Sequence, residues 1–301
     1  MPTMRYPRLR KGTLASDALL MCFYMKHPNE RIAPAVVRAL ELFRERIHPY
    51  QLNWYAGDGQ LDPLDAPAWD KIRKRILEPE PDESAGQAMW AESDPDNPGS
   101  LYVDYRGLDV VPLPYPFRKD DVNVLHLRLP TEFLEERGPE WVRALALDLA
   151  QELPFNSGYV DFVLCFSSII WKADKALELI RPRYPGVHFA KSEANMTMNT
   201  WVDGVHWMNF LGQPVLGQLG GVAGLREKLT LPGISLQEMS GDRVLITLGE
   251  QPDPGDVEAG RTLPLHRALA RVLEPHLHQW TAKYGDEAPK ELLRWDRRFL
   301  D

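Results

Sequence analysis

Residues 122–166 read VNVLHLRLPTEFLEERGPEWVRALALDLAQELPFNSGYVDFVLCF, and this stretch decides the fold. Val122 to Leu129 is a short apolar run of strand character. Pro139 suits the first turn of a helix, where its missing N–H leaves no bond unmade. Trp141, Leu145 and Leu149 then fall at helical spacing on one face, and Tyr159 to Phe166 (YVDFVLCF) is a second buried strand. The unit is strand–helix–strand. Residues 18–55 show the same order: Ala18 to Met25 (ALLMCFYM) as a buried strand, Glu30 to Ile47 as a helix, and Gln51 to Tyr55 as a short strand. Ile32, Val36, Leu40, Phe43 and Ile47 line that helix, with Pro34 in its first turn. The shared order admits a duplication, with too little identity between the spans to assert one.

Outward from these units, Pro67 opens a helix over Ala68 to Leu77, and Leu101 to Tyr105 is a strand. Val110 to Phe117, with Pro112, Pro114 and Pro116, is an extended connection. Ala173 to Arg183 reads as a short helix, Thr197 to Val205 as a strand, and Leu225 to Leu229 as a helical piece. Ile234 to Met239 and Arg243 to Gly249 flank Ser240-Gly241-Asp242 as a hairpin. Leu265, Leu269, Val272, Leu273, His276, Leu277 and Trp280 line one face of a long helix that Pro275 must kink or divide. A helical tail runs from Lys290 to Asp301. Strands and helices without strict alternation give an α+β fold: a largely antiparallel sheet with helices packed on one face. No linker divides the chain, so residues 1–301 read as one domain, with internal halves near 1–117 and 118–301.

The 29 aromatic residues, nine Trp, ten Tyr and ten Phe, can build a sizeable core, which excludes disorder over the whole chain. A net charge of −8 argues against direct nucleic-acid binding, which favours a basic face, and suits a partner with a basic surface. Cys22 and Cys165 sit in separate apolar runs, as reduced, buried thiols of a cytoplasmic protein. No apolar h-region follows the N-terminal basic residues, and no run approaches the roughly 20 apolar residues of a membrane helix.

Catalytic signatures are weak. The spacing Gly217-x-x-Gly220-Gly221-x-x-Gly224 fails the dinucleotide fingerprint, and no phosphate-loop lysine follows, so the glycines read as turns before the Leu225 helix. No histidines share a metal-binding spacing; His206, with Asp203 three residues before it, is read as a packing or surface residue. Glu132, Glu135 and Glu136 favour a helix start, and the acids of EQPDPGDVEAG lack the calcium-loop order. No cofactor or metal is expected.

Several strings, in order along the chain, are similar to one known family. They are Cys22-Phe23-Tyr24-Met25, LPTEFLEERGP at 129–139, LPFNSG at 153–158, FLGQPVLGQLGG at 210–221, Thr247-Leu-Gly-Glu250, Gly255-Asp256, Glu258-Ala-Gly260 and RWDRRFLD at 294–301. The chain resembles the type VI secretion immunity proteins of TsiV-like type. The resemblance implies a non-enzymatic antitoxin that binds a cognate effector toxin, encoded by an adjacent gene, and protects the producing bacterium and its kin. It brings no catalytic residues. Two other readings stay open: a hydrolase using the carboxylates of loop 250–258, and a scaffold or adaptor of a secretion system; a homodimer also stays open.

An antitoxin must outcompete the toxin's substrate, and toxins that attack nucleic acid carry basic clefts. Residues 78–98 hold seven acids, no Lys or Arg, and four prolines, and read as a long acidic loop. Glu80, Asp82, Glu83, Asp94 and Asp96, with Trp90 as apolar anchor, form the expected partner surface, and Asp253, Asp256 and Glu258 form a second acidic patch.

Overall fold

The computed structural model describes residues 15–80, 85–107, 120–166, 180–189, 197–279 and 290–301. Two compact units emerge, one built from Met1–Phe155, Val163–Ile170 and Phe189–Asn199, the other from Asn156–Phe162, Trp171–His188 and Thr200–Asp301. The expected helix at 173–183 and the connection at 110–117 fall wholly or mainly outside the described residues.

In the first unit the strands are β1 (Ala15–Met25), β2 (Trp54–Ala56), β3 (Leu61–Pro63), β4 (Gln87–Trp90), β5 (Tyr102–Arg106) and β6 (Asn123–Pro130). They run in the order β3-β2-β4-β5-β6-β1, antiparallel throughout. Ala18 to Met25 is buried on both faces, which is why its apolar run does not alternate. β6 does alternate: Leu125, Leu127 and Leu129 are fully buried, while His126 and Arg128 point to the opposite face.

The helices of this unit are α1 (Asn29–Arg46), α2 (Ala66–Leu77) and α3 (Glu132–Glu152), with α1 packed against both of the others. Asp65 caps α2 by accepting from Ala68 N at 2.9 Å, a contribution of about 1 kcal/mol. Asn29 joins helices to sheet: it donates to Ile76 O of α2 and accepts from the Tyr105 hydroxyl of β5. The helices therefore lie on the sheet face that carries Tyr105, Val103, Leu125 and Leu127. Gly138, at φ +81°, breaks α3 into two helical runs, and Pro139 opens the second, as the sequence requires.

The second unit holds β9 (Met208–Leu211), β10 (Ile234–Met239) and β11 (Arg243–Leu248), ordered β10-β11-β9 and continuing to β7 (Ser157–Phe166), to which β8 (His188–Phe189) also pairs; of these two strands, Ser157 to Phe162 and His188 belong to this unit. The hairpin β10–β11 turns through Gly241 and Asp242, both at positive φ. Short helices α4 (Val215–Gln218) and α5 (Gly221–Lys228) follow β9, and Gly220 and Gly221 at positive φ make the turn between them. Leu211, Leu225, Val244, Ile246 and Leu269 form the core. Helix α6 (Pro264–Leu273) stops where Pro275 enters a 3₁₀ turn, and α7 (Lys290–Asp296) lies near the end of the chain. The strand expected at 197–205 is replaced by a turn at 199–200 and a single bridge from Val202 to Leu277. Asn199 there adopts positive φ, which breaks strand pairing despite the apolar Trp201, Val202 and Val205.

Candidate functional site

Two arrangements stand out: a sheet face in the first unit and a buried polar cluster in the second. On the sheet, Trp54 of β2, Trp90 of β4, Tyr102 of β5 and Arg128 of β6 stand opposite one another in successive strands. Opposed residues share a face, and this is the face turned away from Tyr105 and the helices. All four side chains are half-buried. The Trp90 and Tyr102 rings lie 5.3 Å apart, and the Arg128 guanidinium sits 4.9 Å above Tyr102. Arg128 also donates to Ser100 O at 3.0 Å and Asn97 O at 3.4 Å, which fastens the connection between β4 and β5 to the sheet.

That connection carries much of the acidic segment. The segment is not one long loop, because Gln87 to Trp90 pair as β4. Glu80, Glu92 and Asp94 are exposed and Asp96 is half-buried, while Asp82 and Glu83 lie outside the described residues. Asp94 accepts from Asp96 N at 3.0 Å, and Asn97 donates to Glu92 at 2.7 Å. These local bonds order the segment between Trp90 and Tyr102 before any partner arrives.

The second acidic group is arranged differently. Asp256 is 8% exposed and accepts from Arg183 Nε at 3.2 Å and Nη2 at 3.1 Å. Arg183 holds the Asp256 carboxyl below the usual range. Glu258, exposed, pairs with the same guanidinium at 2.6 Å, and Asp253 accepts from Gly255 N at 2.8 Å. Asp253 and Asp256 build a turn; Glu258 is the member of the three at the surface.

The buried cluster lies wholly in the second unit. Asp161, 2% exposed in the middle of β7, receives Phe162 N on Oδ1 at 2.8 Å and Trp207 N on Oδ2 at 3.3 Å. The same Oδ2 is 3.3 Å from His206 Nδ1. Burial pushes the Asp161 carboxyl up to about 7, against the pull of His266, the two backbone N–H groups and Arg298. Burial likewise holds His206 well below its ordinary value, assisted by Arg298, so its ring is neutral. Tyr159 stacks on that ring at 3.9 Å and approaches His188 Nε2 through its hydroxyl at 3.2 Å. Asp203 Oδ2 lies 4.0 Å from His206 Nε2. Among the described residues, His188, Asp203 and His206 are the group able to hold a metal ion, with one ligand atom from each lying within 4.8 Å of the others. His266, 3% exposed, is pushed down to about 4 by burial, and desolvation pushes the guanidinium of half-buried Arg298 down to about 10.

Sequence spacing hides this gathering, because its members come from β7, β8, the irregular segment 203–206, α6 and the chain end. Two signals were present. Asp161 is a carboxylate inside an otherwise apolar buried strand, which must find partners. Asp203-Gly204-Val205-His206 puts a carboxylate and an imidazole three residues apart with a glycine between them.

The family described as TsiV, Type VI immunity for VRR-NUC, matches residues 35–299 of this chain. A solved structure described as Pseudomonas aeruginosa T6SS protein PA0821 is similar at 19% identity and a TM-score of 0.74, over 94% of this chain and 85% of that one. That likeness carries the fold. No curated protein matches.

Proposed function

The chain belongs to the family of type VI immunity proteins for VRR-NUC, and from that premise we propose that it neutralises a VRR-NUC nuclease by covering the nuclease's substrate cleft with the aromatic and acidic face of its first unit. The observation that carries this reading is the half-buried row Trp54, Trp90, Tyr102, with Glu92, Asp94 and Asp96 on the hydrogen-bonded connection that joins Trp90 to Tyr102. A nuclease cleft must be basic to hold phosphates. Fixed carboxylates on a −8 protein steer toward such a cleft, and rigid aromatic side chains supply the desolvated contact that holds it. Glu80, with Asp82 and Glu83 next to it in sequence, extends the acidic surface. Glu258 is a separate candidate contact, exposed on the second unit, while Asp253 and Asp256 act by shaping its loop.

Neutralisation here is occupancy and not catalysis, and the partner is the product of an adjacent gene. The whole chain, residues 1–301, works as one immunity protein in the cytoplasm, where a nuclease meets nucleic acid. No helix of the described residues is long and apolar enough to cross a membrane. The test is association with the neighbouring nuclease at low and moderate salt, comparing the natural chain with a variant carrying Glu80→Gln, Glu92→Gln, Asp94→Asn and Asp96→Asn. Steering by these carboxylates slows association of the variant about tenfold at low salt, and the gap narrows as salt rises. Equal on-rates at both salts would remove the acidic segment from the interface.

A further inference from the structure

We propose that His188, Asp203 and His206 form a binding site for a divalent first-row metal ion of zinc type, with Asp161 as the positioning residue behind His206. Two imidazoles and one carboxylate are the donor set that zinc takes when a fourth position is left for water or another ligand. The three ligand atoms lie within 4.8 Å of one another. A zinc–nitrogen bond of about 2.0 Å puts tetrahedral ligand atoms about 3.3 Å apart, so the group closes by small side-chain movements, chiefly of the half-buried His188.

Three further observations point to a ligand. His206 is 2% exposed, yet its Nε2 has no hydrogen-bond partner among the described residues. A buried nitrogen in that condition costs about 1–3 kcal/mol unless something binds it. The other ring nitrogen, Nδ1, faces Asp161 Oδ2 at 3.3 Å. Both Asp161 oxygens accept backbone N–H bonds, so the carboxylate acts as acceptor toward Nδ1–H and leaves the lone pair on Nε2, facing Asp203. A carboxylate behind a metal-binding imidazole is the usual device for fixing its tautomer and orientation. Finally, Gly204 keeps the space beside Nε2 open, because a Cβ there would lie 3.2 Å from that nitrogen. Gly204 and His188 are only partly buried, which gives an entry path from that side.

The experiment uses the full chain, stripped with a chelator and titrated with zinc chloride by calorimetry, with cobalt(II) absorption as a second readout. The site binds one equivalent of zinc per chain, raises the melting temperature, and gives the intense visible bands of tetrahedral cobalt. Asp203→Asn and His188→Gln abolish all three signals, and Asp161→Asn weakens zinc binding about 10- to 100-fold. His126→Gln, in the first unit, leaves binding unchanged. His188 is partly exposed, so its variant keeps the fold, checked by circular dichroism, where a change at His206 can disrupt it. Absence of zinc binding and of thermal stabilisation in the natural chain overturns the proposal. So does binding that survives both Asp203→Asn and His188→Gln, which would place the ion elsewhere.

Discussion

Each unit buries a histidine against a carboxylate, and the two sites have opposite character. In the first unit His126 of β6 stands across from Asp104 of β5, with Arg106 donating to Asp104 at 2.9 Å and Arg128 two residues along the same strand. One guanidinium, that of Arg106, pairs with the carboxylate there. In the second unit Asp161 and Asp203 gather with His188 and His206, and His266 and Arg298 act on Asp161 through space. Burial pushes His126 down to about 4, as it does His266. A depressed histidine is therefore common to both units and diagnoses neither. What separates the sites is the convergence of ligand atoms. The Asp104 carboxylate is taken up in an ion pair with Arg106, whereas in the second unit one ligand atom each from His188, Asp203 and His206 lies within 4.8 Å of the others.

The comparison breaks most visibly at Arg298. Its guanidinium donates to Pro185 O at 2.8 Å and to Trp295 O at 3.0 Å and lies 4.1 Å above the Trp295 ring. Arg298→Ala removes these two hydrogen bonds and the ring contact, and the expected loss is about 3 kcal/mol in urea unfolding. A loss under about 1 kcal/mol would show that these contacts are solvated. The pH dependence of the first unit is the next largest effect. His126 is protonated in the unfolded chain below about 6.5 but in the folded chain only below about 4. Stability therefore falls as pH drops from 6.5 to 4, by about 1.4 kcal/mol per pH unit for this one group. His126→Leu removes that slope relative to the natural chain. At pH 7 it costs at most about 1 kcal/mol, since a neutral ring with an unpartnered Nε2 is replaced by an apolar side chain. The smallest effect belongs to the surface carboxylates: the four-amide variant at Glu80, Glu92, Asp94 and Asp96 keeps its stability within about 0.5 kcal/mol, so a change in its association reports the interface alone.

The sequence carried most of the first unit and less of the second. The runs at 18–25, 30–47 and 122–166 were legible because each buries a face at a clear period, and the structure places β1, α1, β6, α3 and β7 over them. Cys22 and Cys165 are buried and not bridged, as their apolar runs required. β4 was hidden by the surrounding acids and prolines, although Met89 and Trp90 were visible as an apolar island; four residues of pairing leave little periodicity to read. β9 was missed because Met208 to Leu211 is buried throughout and so does not alternate. Within the second unit Pro275 was read correctly as a helix breaker, whereas the apolar residues of 197–205 suggested a strand that the turn at Asn199 prevents. The histidine–carboxylate cluster was unreadable from spacing, since residues 161, 188, 203, 206, 266 and 298 meet only after folding. The Trp90 anchor was named from composition, but its neighbours Trp54 and Tyr102 depend on strand register, which no local pattern supplied.

The central claim is that the aromatic and acidic face of the first unit blocks a VRR-NUC nuclease. The most direct measurement mixes the purified chain with the nuclease encoded beside it and follows nucleic-acid cleavage against molar ratio. The natural chain is expected to abolish cleavage near one-to-one, and the variant combining Trp54→Ala with Trp90→Ala, shown folded by circular dichroism, is expected to need about 100-fold more protein for the same protection. Undiminished cleavage with excess natural chain, or full inhibition by the double variant, would contradict the account.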